Sequence, residues 1–204
     1  IILPHGGPFA RDVWSYDPVV QFLANRGYAV LQSQFRGSTG FGKDFVAGEY
    51  GEIGKRMQDD LDDGMDWLVK EGRVDPRRVC IVGFSYGGYA AMWGAIRNPE
   101  RYRCAASWAG PSDLNGMMRY DRQLFSASRY FQVWRKRFQT GSELDDVSPL
   151  KLADRLKVPV FIAHGEEDDT VPAKQSHRMV EALTKAGAPV SSAFYKDSKH
   201  DFGS

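Results

Sequence analysis

Arg78-Val79-Cys80-Ile81-Val82-Gly83-Phe84-Ser85-Tyr86-Gly87 is the stretch whose reading decides the fold. An apolar run of strand type leads into Gly-x-Ser-x-Gly, and a helical pattern follows directly. That is the arrangement in which a serine is pushed out at the top of a sheet as a nucleophile. The two glycines let the chain turn sharply enough to present the hydroxyl. The signature alone is weak, since at ordinary glycine usage it arises by chance in roughly one chain of this length in fifteen. Its company strengthens it: His5-Gly6-Gly7-Pro8 upstream, an acidic turn around Asp168, and His200 close to the end.

Outward from this stretch, strand and helix patterns alternate. Short apolar runs predict strands at about 1–4, 28–34, 78–83, 103–109, 158–163 and 190–195. Helical periodicity covers about 16–26, 56–70, 86–97 and 174–186, with Gly27 and Gly187 as stops just past the first and last of these. The alternation predicts an α/β fold, a mainly parallel sheet with helices on both faces. In such sheets ligands bind beyond the carboxyl ends of the strands, where His5, Ser85, Asp168 and His200 all fall. Residues 111–147 exceed a simple crossover and are rich in Arg, Tyr, Phe and Trp, so they read as a helical excursion over the sheet edge.

The 204 residues fit one domain, and 42% apolar with 13% aromatic content is enough for a core. A formal charge of +1 gives no electrostatic case for nucleic acid or an anionic membrane. No run approaches the ~18 apolar residues of a membrane span. Cys80 and Cys104 each lie in a strand-like run and read as buried free thiols. The chain opens inside an apparent strand and stops soon after His200, so it reads as a catalytic domain excised from a longer protein.

Ser85 needs a base, and the chain has 4 histidines. His5 sits in the Gly-Gly turn, His164 precedes the acidic cluster, and His177 lies mid-helix, where a surface or packing role is expected. The order serine, acid, histidine selects His200. The acid comes from His164-Gly165-Glu166-Glu167-Asp168-Asp169-Thr170-Val171-Pro172. A carboxylate that holds an imidazole in one tautomer must itself be held by its backbone. Asp168 and Asp169 fit that requirement, Glu166 and Glu167 read as solvated, and Asp113 is a third candidate that also suits a helix N-cap near Leu114. The glycines of the His5 turn allow a backbone N–H to approach a reacting carbonyl and, with the N–H of Tyr86, to form an oxyanion hole.

Two stretches mimic other chemistry. Gly37-Ser38-Thr39-Gly40-Phe41-Gly42-Lys43-Asp44 approaches a phosphate-binding loop, but Asp44 places a carboxylate where a Mg²⁺-binding hydroxyl belongs, so an ordinary glycine-rich loop is expected. From Arg119 to Phe138 basic and aromatic residues interleave. In a near-neutral chain this marks an amphipathic helix rather than a nucleic-acid surface.

Together, Pro4-His5-Gly6-Gly7-Pro8, Phe35-Arg36-Gly37-Ser38-Thr39-Gly40-Phe41-Gly42, Gly83-Phe84-Ser85-Tyr86-Gly87-Gly88-Tyr89 and His164 to Pro172 resemble the prolyl oligopeptidase family of serine peptidases. The resemblance is greatest to its acylaminoacyl-peptidase and dipeptidyl-peptidase-like branch. It implies an α/β-hydrolase fold and hydrolysis of short peptides, with esterase activity as the alternative on the same fold. By the family's spacing the acid is Asp168, four residues after the His of His-Gly. The family base matches His200, although Asp201 and Phe202 precede Gly203 here. The resemblance also implies an oxyanion hole from Gly7 and Tyr86, and no metal or organic cofactor. Relatives often carry Arg or Asn where this chain has Thr170, so the group that anchors the substrate backbone differs. Leu114 and Met117 fall where proline-preferring relatives place aromatic rings, which implies an aliphatic substrate wall. Relatives carry a β-propeller ahead of the catalytic domain, so a propeller and a homo-oligomer are the partners to expect of the full-length chain, with neither nucleic acid nor membrane.

Overall fold

The computed structural model describes residues 1–125 and 142–201. Four parallel strands form the sheet: β1 (Cys80–Phe84), β2 (Cys104–Trp108), β3 (Val160–Gly165) and β4 (Val190–Tyr195), in the spatial order β1-β2-β3-β4. The helices are α1 (Pro18–Ala24), α2 (Lys43–Ala47), α3 (Arg56–Lys70), α4 (Tyr86–Arg97), α5 (Leu114–Phe125) and α6 (Lys174–Lys185). This is a parallel sheet flanked by helices on both faces, in keeping with the α/β-hydrolase fold. Among the described residues no helix is long and apolar enough to cross a membrane.

Period-2 alternation sorts the sheet into two faces. Ile81, Ala105, Val160 and Ile162 point to one face and are fully or almost fully buried. Helices α4 and α6 pack on that face, and α3 packs against α4. Tyr89, Met92, Leu61, Met57, Met179 and Leu183 complete this core. Val82, Phe84, Ala106, Trp108 and Phe161 lie on the other face, which α1 faces across a cleft of about 650 Å³.

Two of the six expected strands are reduced to bridges. Ile2 pairs with Leu31 on one side and Ile81 on the other, both parallel. Leu31 N–H donates to Ile1 O and Leu3 N–H to Leu31 O, so the sheet continues for a few bonds beyond β1. The pairing stops at Pro4, which has no N–H to give a ladder.

The cysteines also depart from expectation. They are half-buried, and Cys80 and Cys104 form a disulfide rather than two free thiols. Cys80 is the register partner of Cys104 on the neighbouring strand, with Cα atoms 4.8 Å apart. That separation lies within the range a disulfide can span. Apolar runs in the sequence carry no register, so the pairing was not visible there.

Asp113 caps α5, its carboxylate accepting from Gly116 N–H at 2.8 Å, and Gly187 ends α6 with a positive φ of 70°. Leu114, Met117 and Met118 bury one side of α5, whereas Arg119 and Arg122 are exposed. The described part of the excursion is therefore amphipathic. The rest of the basic-aromatic stretch, from 126 to 138, lies outside the described residues.

Candidate active site

β1 delivers Ser85 into the turn before α4 with φ 57° and ψ −123°, a conformation costly for any residue with a side chain. The surrounding structure enforces it. Ser85 N–H donates to Trp108 O at 2.8 Å, and Ser85 O accepts the N–H of Tyr89 in α4. The elbow demands glycine on both sides because the backbones nearly touch. A Cβ on Gly83 would collide with the backbone of Gly87, and one on Gly87 with the carbonyl of Pro4.

The other two groups arrive from the carboxyl ends of β3 and β4. Asp168 sits in the turn after β3, with its carboxylate inaccessible to solvent. His200 lies in the loop after β4, which crosses so close over Gly165 that a Cβ there would strike Ser198 O. His200 Nδ1–H donates to Asp168 Oδ2 at 2.7 Å, and Nε2 stands 3.0 Å from Ser85 Oγ. The Phe84 ring lies beneath this imidazole, with centroids 4.7 Å apart. The geometry lets the Ser85 hydroxyl proton pass to Nε2 while Nδ1–H stays on the carboxylate.

Four donors saturate Asp168. Thr170 N–H and Val171 N–H reach Oδ1 at 2.9 and 2.8 Å, while His200 Nδ1 and His164 Nε2 reach Oδ2 at 2.7 and 3.1 Å. Burial alone would raise this carboxyl's pKa. The hydrogen bonds from His164, His200 and Val171 outweigh it and hold the group well below the usual carboxylate range.

The competing acids are engaged elsewhere. Asp113 is committed to its helix cap and to Arg178 at 3.0 Å, and Asp169 is exposed, its backbone carbonyl accepting from Tyr120 at 2.8 Å. Glu166 pairs with His177 at 2.9 Å on the surface, with the His177 ring stacked on Phe194.

The backbone N–H groups considered for an oxyanion lie on the two turns flanking Ser85. Tyr86 is the first residue of α4, whose opening N–H groups have no intrahelical acceptor. Its side chain is buried and points away, with the hydroxyl on Met57 Sδ at 3.6 Å, so what Tyr86 offers the site is backbone. The His5–Gly7 turn packs directly on the elbow, since a Cβ on Gly6 would lie 3.4 Å from Ser85 Cβ. His5 Nδ1–H donates to Gly6 O at 2.7 Å, which fixes the Gly6–Gly7 peptide plane and so the direction of Gly7 N–H. Its Nε2 is 2.8 Å from Ser38 Oγ, which also lies 2.6 Å from Phe35 O, and its ring stacks on Phe35 at 4.3 Å. Burial lowers the His5 pKa, opposed by the Gly6 carbonyl and by Asp12.

Of the residues expected along the substrate wall, Leu114 belongs to the apolar core. Met117 is buried on α5, and Thr170 is exposed beside Asp168. Three residues of this neighbourhood escaped the sequence reading. Ser38 lay hidden in the glycine-rich loop, where it braces His5. Gln175 fastens the start of α5, its Oε1 accepting from Ser112 N–H and Asp113 N–H at 3.0 and 2.8 Å. His164 was read only as a neighbour of the acidic turn, although its spacing of four from Asp168 was a usable signal.

Comparison with known proteins agrees with this architecture. Residues 14–204 match the prolyl oligopeptidase family. The chain is 39% identical over 208 aligned positions to dipeptidyl aminopeptidase BIII of Pseudoxanthomonas mexicana, covering 99% of the chain and 30% of that protein. It is 29% identical to the acylamino-acid-releasing enzyme of Rattus norvegicus, covering 98% of the chain and 28% of that protein. A puromycin-hydrolyzing peptidase of Mycobacterium tuberculosis superposes with a TM-score of 0.90 at 26% identity, over 98% of this chain and 30% of that one. The chain thus spans less than a third of the length of these relatives. With the match running from the loop ahead of α1 through the elbow, the acid turn and the His200 loop, the chain belongs to the prolyl oligopeptidase family.

Proposed function

We propose that this chain is the catalytic part of a serine peptidase that hydrolyses short peptides through an acyl-enzyme. The observation that carries the reading is the continuous hydrogen-bonded line from Ser85 Oγ through His200 to Asp168, at 3.0 and 2.7 Å. Two relatives named for dipeptidyl aminopeptidase and acylamino-acid-releasing activities support the peptide substrate class.

In this mechanism Ser85 Oγ attacks the scissile carbonyl carbon as His200 Nε2 takes its proton. The carbonyl oxygen becomes an oxyanion facing the N–H groups of Gly7 and Tyr86. The imidazolium, stabilised by Asp168, hands its proton to the leaving amine, and the C–N bond breaks to leave an acyl ester on Ser85. Water then attacks the ester, His200 takes the water proton, and the same proton returns to Ser85 Oγ as the acid product departs. Intact-mass detection of a fluorophosphonate adduct on Ser85, together with turnover of an aminoacyl amide and its matching ester, tests this. An unlabelled Ser85, or an active ester with an inert amide, refutes it in its peptidase form.

His5→Ala frees the Gly6 carbonyl and lets Gly7 N–H turn away. Loss of one oxyanion donor costs about 10²–10³ in rate. A kcat/KM drop of that size is expected in a protein whose circular dichroism is unchanged.

The residue before the scissile bond should be broadly apolar, from Ala to Leu or Phe. Met117 is the residue expected to form a flexible wall there, with no flat ring to select proline. Because a methylene in such a pocket is worth about 1–3 kcal/mol, neighbouring residue types should differ by tens of fold in a peptide-library profile. Near-exclusive cleavage after proline, or after Lys and Arg, would refute this.

A further inference from the structure

Two imidazoles meet on the same oxygen of Asp168. His200 approaches Oδ2 from the serine side, and His164 reaches it from the interior at 3.1 Å. His164 is at the end of β3 and wholly buried, in contact with nothing that could be substrate. Its Nε2 faces two acceptors, Asp168 Oδ2 and Val171 O at 2.7 Å, so that nitrogen carries the hydrogen. Its Nδ1 lies 2.7 Å from the hydroxyl of Ser176, a residue 1% exposed in the first turn of α6. A side-chain line therefore runs from α6 through β3 to the catalytic carboxylate.

The acid's geometry shows what this line can do. Thr170 and Val171 N–H groups hold Oδ1 from one side of the carboxylate, and His164 Nε2 approaches Oδ2 from the other. Oδ2 is the atom that must hold His200, which is half-buried in a mostly exposed loop and depends on the carboxylate for its orientation. The buried His164 N–H, shared between Oδ2 at 3.1 Å and Val171 O at 2.7 Å, gives the carboxylate a second anchor against rotation about Cβ–Cγ.

We propose that His164, with Ser176 fixing which ring nitrogen faces the acid, is a positioning residue for the reaction, acting on turnover through Asp168. This rests on the assignment of Ser85, His200 and Asp168 as the triad. The pair orients the carboxylate in the ground state and keeps it in place as the imidazolium forms. Misplacement of a reacting group by about an ångström costs about 10²-fold.

The test uses the full-length protein and a chromogenic peptide amide, with kcat and KM measured for His164→Leu, His164→Gln and Ser176→Ala. Each variant is made in the parent and in an Asp168→Ala background. His164→Leu keeps the volume without the N–H and is expected to lower kcat by about 30–100-fold with KM within about twofold. His164→Gln restores an N–H donor and should lose less than about tenfold, while Ser176→Ala should lose a few-fold. In the Asp168→Ala background all three effects should shrink to about twofold or less, because residues acting through one group are not additive. Parent-like kcat in His164→Leu, equal losses in the Leu and Gln variants, or full additivity with Asp168→Ala overturns the proposal. Should His164→Leu fail to fold, the two milder variants carry the same comparison. A parent-like Ser176→Ala, or a loss that persists without Asp168, then overturns it. If Ser85→Ala kept its turnover, the triad assignment would fail instead; inactive Ser85 and Asp168 variants beside an unaffected His164→Leu would remove this inference alone.

Discussion

Ser85→Ala is expected to lower kcat by about 10⁶-fold, the cost of removing a nucleophile that works as a unit with its base. Peptide turnover and fluorophosphonate labelling should both disappear. The fold should survive, because the hydroxyl does nothing structural: Ser85 is placed by its backbone bonds to Trp108 and Tyr89. Ser85 also holds a positive φ of 57° that alanine tolerates no worse than serine. An unchanged melting temperature alongside lost activity is the expected pair of results. A variant turning over at a tenth of the parent rate would remove the basis of the proposed function.

Asp168→Asn should be the second most damaging single change, at about 10⁴-fold in kcat. Thr170 and Val171 N–H would draw the amide oxygen to the Oδ1 position, leaving the NH₂ where Oδ2 accepts from both imidazoles. An N–H facing Nδ1 favours the tautomer that carries its hydrogen on Nε2, which cannot take the serine proton. Asp169→Asn and Asp113→Asn should cost little by comparison, since one side chain is exposed and the other caps α5. If Asp169→Asn were the worst of the three, the acid would be one residue further along.

The same carboxylate carries a pH expectation. Its folded-state pKa is depressed, so the stability it contributes is present above the ordinary carboxylate value of 3.8 and is lost as pH falls below that. Asp168 therefore stays ionised through mild acid, and loss of activity on acidification to pH ~5 is not its protonation. A parent rate that fell together with thermal stability between pH 7 and 5 would contradict this.

Local pattern decided much of this protein. Helices 56–70 and 86–97 coincide with α3 and α4: a 3.6-residue apolar stripe marks the buried side of α3, and α4 is apolar and buried almost all round. The strand-to-glycine-to-serine step was legible because such a turn has few chemical solutions, and Asp113 read as a helix cap by the same local logic. The four β-strands were visible as apolar runs, but their neighbours were not. Pairing across a sheet depends on register between distant segments, which is why Ile2 and Leu31 were overrated as strands and why Cys80 and Cys104 were read as free. Tertiary structure alone brought His200 to Ser85 across a separation of 115 residues. It also turned Ser38 onto His5 and placed His164 behind Asp168 as a second imidazole. A sequence names residues able to donate and accept protons, but hydrogen bonds act over about 3 Å. Only the folded chain determines which donor meets which acceptor.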